Sequence, residues 1–235
     1  MRRIFPLFLI FLLIFSGCGG RVVMEYGDEK ISATEFSYYY WSEFFYFREV
    51  YEEYTKETVD LSKPLDGQMY DDNTTWQEHM VEQTITMIEE TKALAMAAKE
   101  ADFVLPEEYE DAYDDVIVNF TDAAMAQEYK NVDAYLQASY GKGADKESFE
   151  AYLYDTHLAS AYADELYAQA DPTDEEVQAY YDAHMADYDE NGMEQARQDL
   201  HTENYNNAIL QIINEVTFTV HHDNIRITAP KGLYE

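Results

Sequence analysis

Between residues 36 and 54 the chain reads FSYYYWSEFFYFREVYEEY, and eleven of those nineteen residues are aromatic. Rings at that density must leave water, so the fold has to be built around this segment. Phe36, Tyr40, Phe44, Phe47, Tyr51 and Tyr54 recur at 4-4-3-4-3 spacing, the stripe of a buried helix face. At 100° per residue, Tyr38, Trp41 and Phe45 fall on the opposite face, within about 60° of one another. Such a helix is either enclosed on two sides or offers one ring-rich face to a partner. Upstream, Ser32-Ala-Thr-Glu35 has the spacing of a capping box and predicts that the helix starts at Ala33.

The rest of the chain is also helical in pattern. Only nine glycines and five prolines occur in 235 residues, too few for a turn-rich β fold. A loop with Pro64, Gly67 and Asp71-Asp72-Asn73 precedes a helix from near Trp76 to Ala101, with Val81, Ile85 and Ile88 on its inner face. Pro106 sets the start of another, along which Tyr109, Tyr113, Val116 and Phe120 align. A shorter helix spans Val132 to Ser139. Asp145 caps the next, which stops at Asp171-Pro172, and Thr173-Asp-Glu-Glu176 opens the one after. The final helix runs over 194–215. Two stretches alternate as strands do: VVMEYGDEKIS near the start, around the turn Gly27-Asp28, and the tail 216–228. Each needs a partner for its backbone groups, so the segment Val22–Tyr26 is expected to pair with Phe218–Val220 or Ile225–Ile227.

The chain begins MRRIFPLFLIFLLIFSGCGG. Two arginines, an apolar run and small residues before a cut site read as a signal peptide over 1–17. The run is short for a bilayer span, which needs about 20 residues. Ser16-Gly17-Cys18 resembles the lipobox of bacterial lipoproteins, with Phe15 standing where leucine is usual. Cys18, the one cysteine in the chain, is then the lipidated residue and the first of a short lipidated linker over 18–21. That implies a bacterial cell-envelope protein. Its anchor would hold it to the outer face of the cell membrane, or to the periplasmic side of an outer membrane.

The order of the pieces resembles the chaperone region of SurA/PrsA-type foldases, which is related to the peptide-binding part of trigger factor. The resemblance runs from the Val23–Phe36 start through EQTITMIEETKALAMAAKEADFVLPEEYEDAY and ESFEAYLYDTHLASAYADEL to DPTDEEVQAYYDAHMADY. Pro172 to Tyr181 is its most specific part. It implies a mostly α fold over 22–235, closed by a small terminal β pairing, with 194–215 as a helix returning onto the body. In such foldases a parvulin-type prolyl isomerase domain follows the Tyr-Tyr helix. Here only Asp187-Tyr-Asp-Glu-Asn-Gly192 stands at that place, too short for a domain. The resemblance therefore implies client binding without isomerase catalysis, and the chain is not expected to be an enzyme. The partners it implies are unfolded or newly exported polypeptides, and the face of Tyr38, Trp41 and Phe45 read from the helical wheel is the candidate surface for them. An adaptor lipoprotein that holds one dedicated folded partner is the alternative.

A formal net charge of −33 repels nucleic acid and anionic lipid, so neither is expected as a partner and the membrane contact rests on the lipid anchor. No cofactor is expected. Asp187, Asp189, Asn191 and Gly192 match the first half of an EF-hand calcium loop, but Gln198 stands at the twelfth position, where a bidentate glutamate belongs. An acidic turn accounts for them better. His79, His157, His184, His201, His221 and His222 show no metal-ligand spacing. Acid pairs such as Glu89-Glu90 read as solvated helix faces.

Overall fold

The computed structural model describes residues 20–188 and 192–234. The leader, Cys18, Asp189 and Asn191 lie outside the described residues. Strands β1 (Val22–Tyr26) and β2 (Glu29–Ser32) form an antiparallel hairpin in which Tyr26 faces Glu29. Gly27 supplies the positive φ, 58°, that a two-residue hairpin turn needs. A bulge between Val22 and Met24 leaves Val23 unpaired, so two consecutive residues, Val23 and Met24, both enter the core.

Ser32 caps α1 (Ala33–Thr55), accepting the Glu35 N–H at 3.1 Å. The reciprocal half of the expected capping box is missing, because the Glu35 carboxylate is drawn to Lys92 at 2.7 Å. Lys56, in the left-handed conformation, ends the helix. A loop with a 3-10 turn at Leu65–Gly67 leads to α2 (Trp76–Glu100), which Thr75 and Glu78 start with a full capping box. There follow α3 (Glu107–Ala126), α4 (Val132–Tyr140), α5 (Lys146–Gln169), α6 (Asp174–Ala183) and α7 (Met193–Asn214). Reciprocal boxes at Asp145–Ser148 and Thr173–Glu176 fix the starts of α5 and α6.

Seven helices and one three-stranded antiparallel sheet thus make up the described residues. Helix α2 lies along α5 more extensively than any other helix pair, α1, α3 and α7 pack against this pair, and α6 packs on α7. Two cores result. The larger holds the aromatics of α1 with Trp76, Ile88, Phe149 and Tyr152. The smaller, Ala95, Ala98, Leu158, Ala159 and Ala161, is alanine-rich, which lets α2 and α5 approach closely.

The tail pairs with the start of the chain as expected: β3 (Thr219–Val220) lies on β1, with Met24 opposite Val220 and Glu25 opposite Thr219. His221 N–H reaches Val23 O at 2.8 Å, and Asn224 Nδ2 reaches Val22 O at 2.8 Å. No second tail strand forms. With β2 and β3 on its two edges, β1 has no edge left. The chain turns at His222–Asn224, and Ile225–Ile227 leaves the sheet to cross α1.

Candidate functional site

Helix α1 is enclosed on both sides. Tyr38 and Trp41 are almost fully buried, at 0% and 1% exposure. The free aromatic face expected of Tyr38, Trp41 and Phe45 is therefore corrected: two of the three are core. Tyr38 sits among Tyr140, Phe149 and Tyr152 with ring centroids 5.0–5.4 Å away, and its hydroxyl meets Ser148 Oγ at 2.8 Å. Trp41 donates its Nε1–H to Thr228 O at 3.0 Å, so the C-terminal tail lies over it. The physical reason is that α4, α5 and the tail supply the second layer that so many rings require. At the far end of the opposite stripe Tyr54 is exposed, because α1 runs beyond the packed body.

Phe45 is only half-buried, and with Trp41 it lines a cleft of about 220 Å³. Phe120 of α3, Tyr135 and Tyr140 of α4, and Pro230 of the tail form its other walls. Phe120 lies 5.8 Å from Tyr135 and 6.4 Å from Tyr140, centroid to centroid, so the walls are ring faces and edges. The Arg48 guanidinium stands 5.8 Å from the Phe45 centroid. Ser42 is the exposed polar group at the rim, and Tyr152 donates to its Oγ at 3.5 Å. Burial pushes the Tyr140 phenol well above its usual range, so it stays neutral. A cleft of this size and lining accommodates an apolar or aromatic side chain. It contains no nucleophile paired with a base.

A second arrangement was not foreseen from the sequence. Lys92 of α2 is buried and meets three carboxylates: Asp155 of α5 at 2.6 Å, Glu35 of α1 at 2.7 Å and Glu29 of β2 at 3.2 Å. Lys99 adds a contact to Asp155 at 2.7 Å. Four elements are joined at one ammonium. The signal available was a lysine on the inner side of a polar–alanine helix, which reads as an ordinary solvated residue.

The remaining candidates stay apart. His79 stacks on Tyr70 at 3.7 Å, and burial holds its pKa below the usual value. His157 and His184 bond to carbonyls of their own helices, and His221 meets Glu25. Asp187 is exposed in the turn after α6. Among the described residues no three His, Cys, Asp or Glu side chains are placed to hold a metal ion. No helix among them is long and apolar enough to cross a membrane. No protein-family model matches this sequence, and neither curated sequences nor solved structures yield a match.

Proposed function

We propose that this chain is a lipid-anchored, extracytoplasmic chaperone-like protein that holds apolar segments of unfolded or newly exported polypeptides, with a SurA/PrsA-like, trigger-factor-related fold. The observation that carries the reading is the ring-walled cleft between α1, α3, α4 and the tail. Aromatic walls receive many apolar side chains without strict shape demands, and a holding protein needs that tolerance. The element order supports it as well: a hairpin, a long aromatic helix, a helical body, a returning α7 and a strand that closes on β1. The high acidic charge would keep a complex with an unfolded client soluble.

Prolyl isomerase catalysis forms no part of this reading. The junction 184–192 between α6 and α7 is far below the roughly 50 residues of the smallest usual domains. The anchor is the thioether-linked lipid on Cys18.

The test is suppression of aggregation of chemically unfolded, unrelated clients, comparing the natural chain with Phe45→Ser. Phe45 is half-buried, so this change should leave the helical circular dichroism intact while reducing protection. Saturable binding of a single folded protein, with no effect on unrelated clients, would establish the adaptor instead. Acceleration of a proline-limited refolding reaction that survives repurification would overturn the non-catalytic assignment.

A further inference from the structure

Residues 225–234 leave the sheet and cross the aromatic face of α1 in an irregular, largely extended path. Ile225, Ile227 and Ala229 turn inward and pack on the main core, while Arg226 and Thr228 between them are exposed. That is the alternation of a β-strand, yet no strand lies beside it. Main-chain groups of the segment are held from several sides. Trp41 Nε1 donates to Thr228 O at 3.0 Å, Lys231 N–H to Ala138 O at 2.7 Å, and Tyr234 N–H to Leu61 O at 3.1 Å. Contacts of this kind read backbone and apolar alternation, not a particular sequence.

Open space lies on both sides of the segment. The ring-walled cleft ends against Pro230. A second cleft of about 250 Å³ lies between Ile225, Ile227 and the α2 residues Glu78, Val81 and Glu82. The Tyr40 hydroxyl, which interacts electrostatically with Tyr234 of the segment, is buried with no hydrogen-bond partner among the described residues. A buried donor without an acceptor is costly, and a differently seated peptide carbonyl would satisfy it. The charge is also distinctive. In a chain of 48 acids and 15 Lys/Arg, residues 224–234 carry Arg226 and Lys231 and no acid. The walls supply Glu78 and Glu82, and Lys231 lies over the Tyr129 ring at 5.7 Å.

We propose that residues 225–234 are a displaceable strap, seated in a groove whose other occupant is an extended peptide alternating apolar and basic side chains. The inference rests on the holding reading above and names the client segment: apolar at every second residue, positively charged between, free of acids. Each flanking cleft loses a wall when the strap lifts, Pro230 from one and Ile225 and Ile227 from the other. A tethered strap competes at an effective concentration of the order of millimolar, so free peptide binds the natural chain weakly.

The test uses the full-length chain in neutral detergent and a fluorescently labelled synthetic peptide, NIRITAPKGLY, copied from residues 224–234. The variant Arg226→Glu/Lys231→Glu changes two exposed side chains and weakens the strap against an acidic body. It should bind the labelled peptide about tenfold more tightly than the natural chain does, because more of its grooves are open. Added salt should weaken that binding. A peptide with Glu at both basic positions should bind neither protein. Ile227→Ser, which removes an apolar anchor from the strap but leaves the groove and the peptide unchanged, should shift affinity in the same direction. Equal affinity for the natural chain and both variants, at matched melting temperatures, overturns the strap. Tight binding of the Glu-substituted peptide overturns the basic preference. If the variants gain peptide affinity while no protein suppresses aggregation, the holding reading fails and the strap stands. If aggregation is suppressed but no protein distinguishes the peptides, the strap fails and the holding reading stands.

Discussion

Lys92 shows how one side chain can fix several elements at once. An ammonium taken from water costs several kcal/mol unless charges compensate it, and here Glu29, Glu35 and Asp155 do so. Burial works against its charge, but Glu35, Tyr39 and Asp155 together hold the Lys92 pKa above its usual value. The two most enclosed acids respond in opposite ways. Burial would raise Asp155, yet Lys92 and Lys99 overcome it and hold the carboxyl below the usual 3.8. For Glu35 burial prevails over the same lysine, and its pKa stands above the usual 4.5. Asp155 therefore contributes stability that is present above about pH 4 and is lost as pH falls through its lower native value. Glu35 contributes most below about pH 4.5, and that contribution is lost as pH rises through its higher native value. Asp155→Asn should cost about 1–3 kcal/mol near neutral pH, since Lys92 and Lys99 lose a shared carboxylate while Glu29 and Glu35 still face Lys92. Its deficit should shrink below pH 4. Glu35→Gln should cost under about 1 kcal/mol at neutral pH, and the natural chain should gain on it as pH falls toward 4.5. Urea titrations of the three proteins across this range read both slopes, and an Asp155→Asn deficit that does not change with pH would refute the assignment.

At the level of the elements, α1 sets the terms for its neighbours. Because Trp41 is sealed beneath the tail and Phe45 is only half covered, the two should separate under substitution. Trp41→Ala should cost about 3–5 kcal/mol, the usual range for emptying a buried aromatic site. Phe45→Ser should cost clearly less and show its effect in aggregation suppression. Thermal melts and light scattering on the same samples distinguish them, and equal melting losses would place Phe45 in the core. Most of the helices were legible in the sequence because their signals are local. Capping residues at Ser32, Asp145 and Thr173 and apolar spacing set the boundaries of α1, α5 and α6. Which face of α1 meets water was not legible. That depends on α4, α5 and a tail nearly two hundred residues away, and a helical wheel carries no information about them. The same limit hid the ion cluster, whose members come from β2, α1, α2 and α5, and it hid the cleft, whose walls come from three helices and the tail. Period-two alternation did reveal that the tail would pair with β1. It could not show that the chain would turn at His222–Asn224, nor that β2 and β3 would leave no edge of β1 for Ile225–Ile227.

On the scale of the whole molecule, closure at β1–β3 and coverage by the strap are separable. A chain cut after Asn224 keeps β3, the His221 bond to Val23 and the Asn224 bond to Val22, and it should still unfold in one cooperative step. A chain cut after Glu215 loses Phe218 from the core and one edge of the sheet, and should lose that cooperativity. Denaturation followed by circular dichroism and by tryptophan fluorescence tests this: coincident curves are expected for the first chain and divergent curves for the second. The overall charge also decides how such a molecule can reach a membrane. At −33 it is repelled by anionic headgroups, so basic residues cannot provide the attachment. A single acyl chain binds a bilayer only marginally, with an association constant near about 10⁴ M⁻¹, so stable anchoring needs a second chain. On the reading proposed above, a diacylglyceryl group on Cys18 would supply two. On that reading Cys18→Ala should move the protein from the membrane fraction to the soluble fraction, whereas high salt should leave the natural protein bound, because a lipid attachment is apolar. A Cys18→Ala protein that stays membrane-bound in high salt would show that the leader itself, not the lipid, is the anchor.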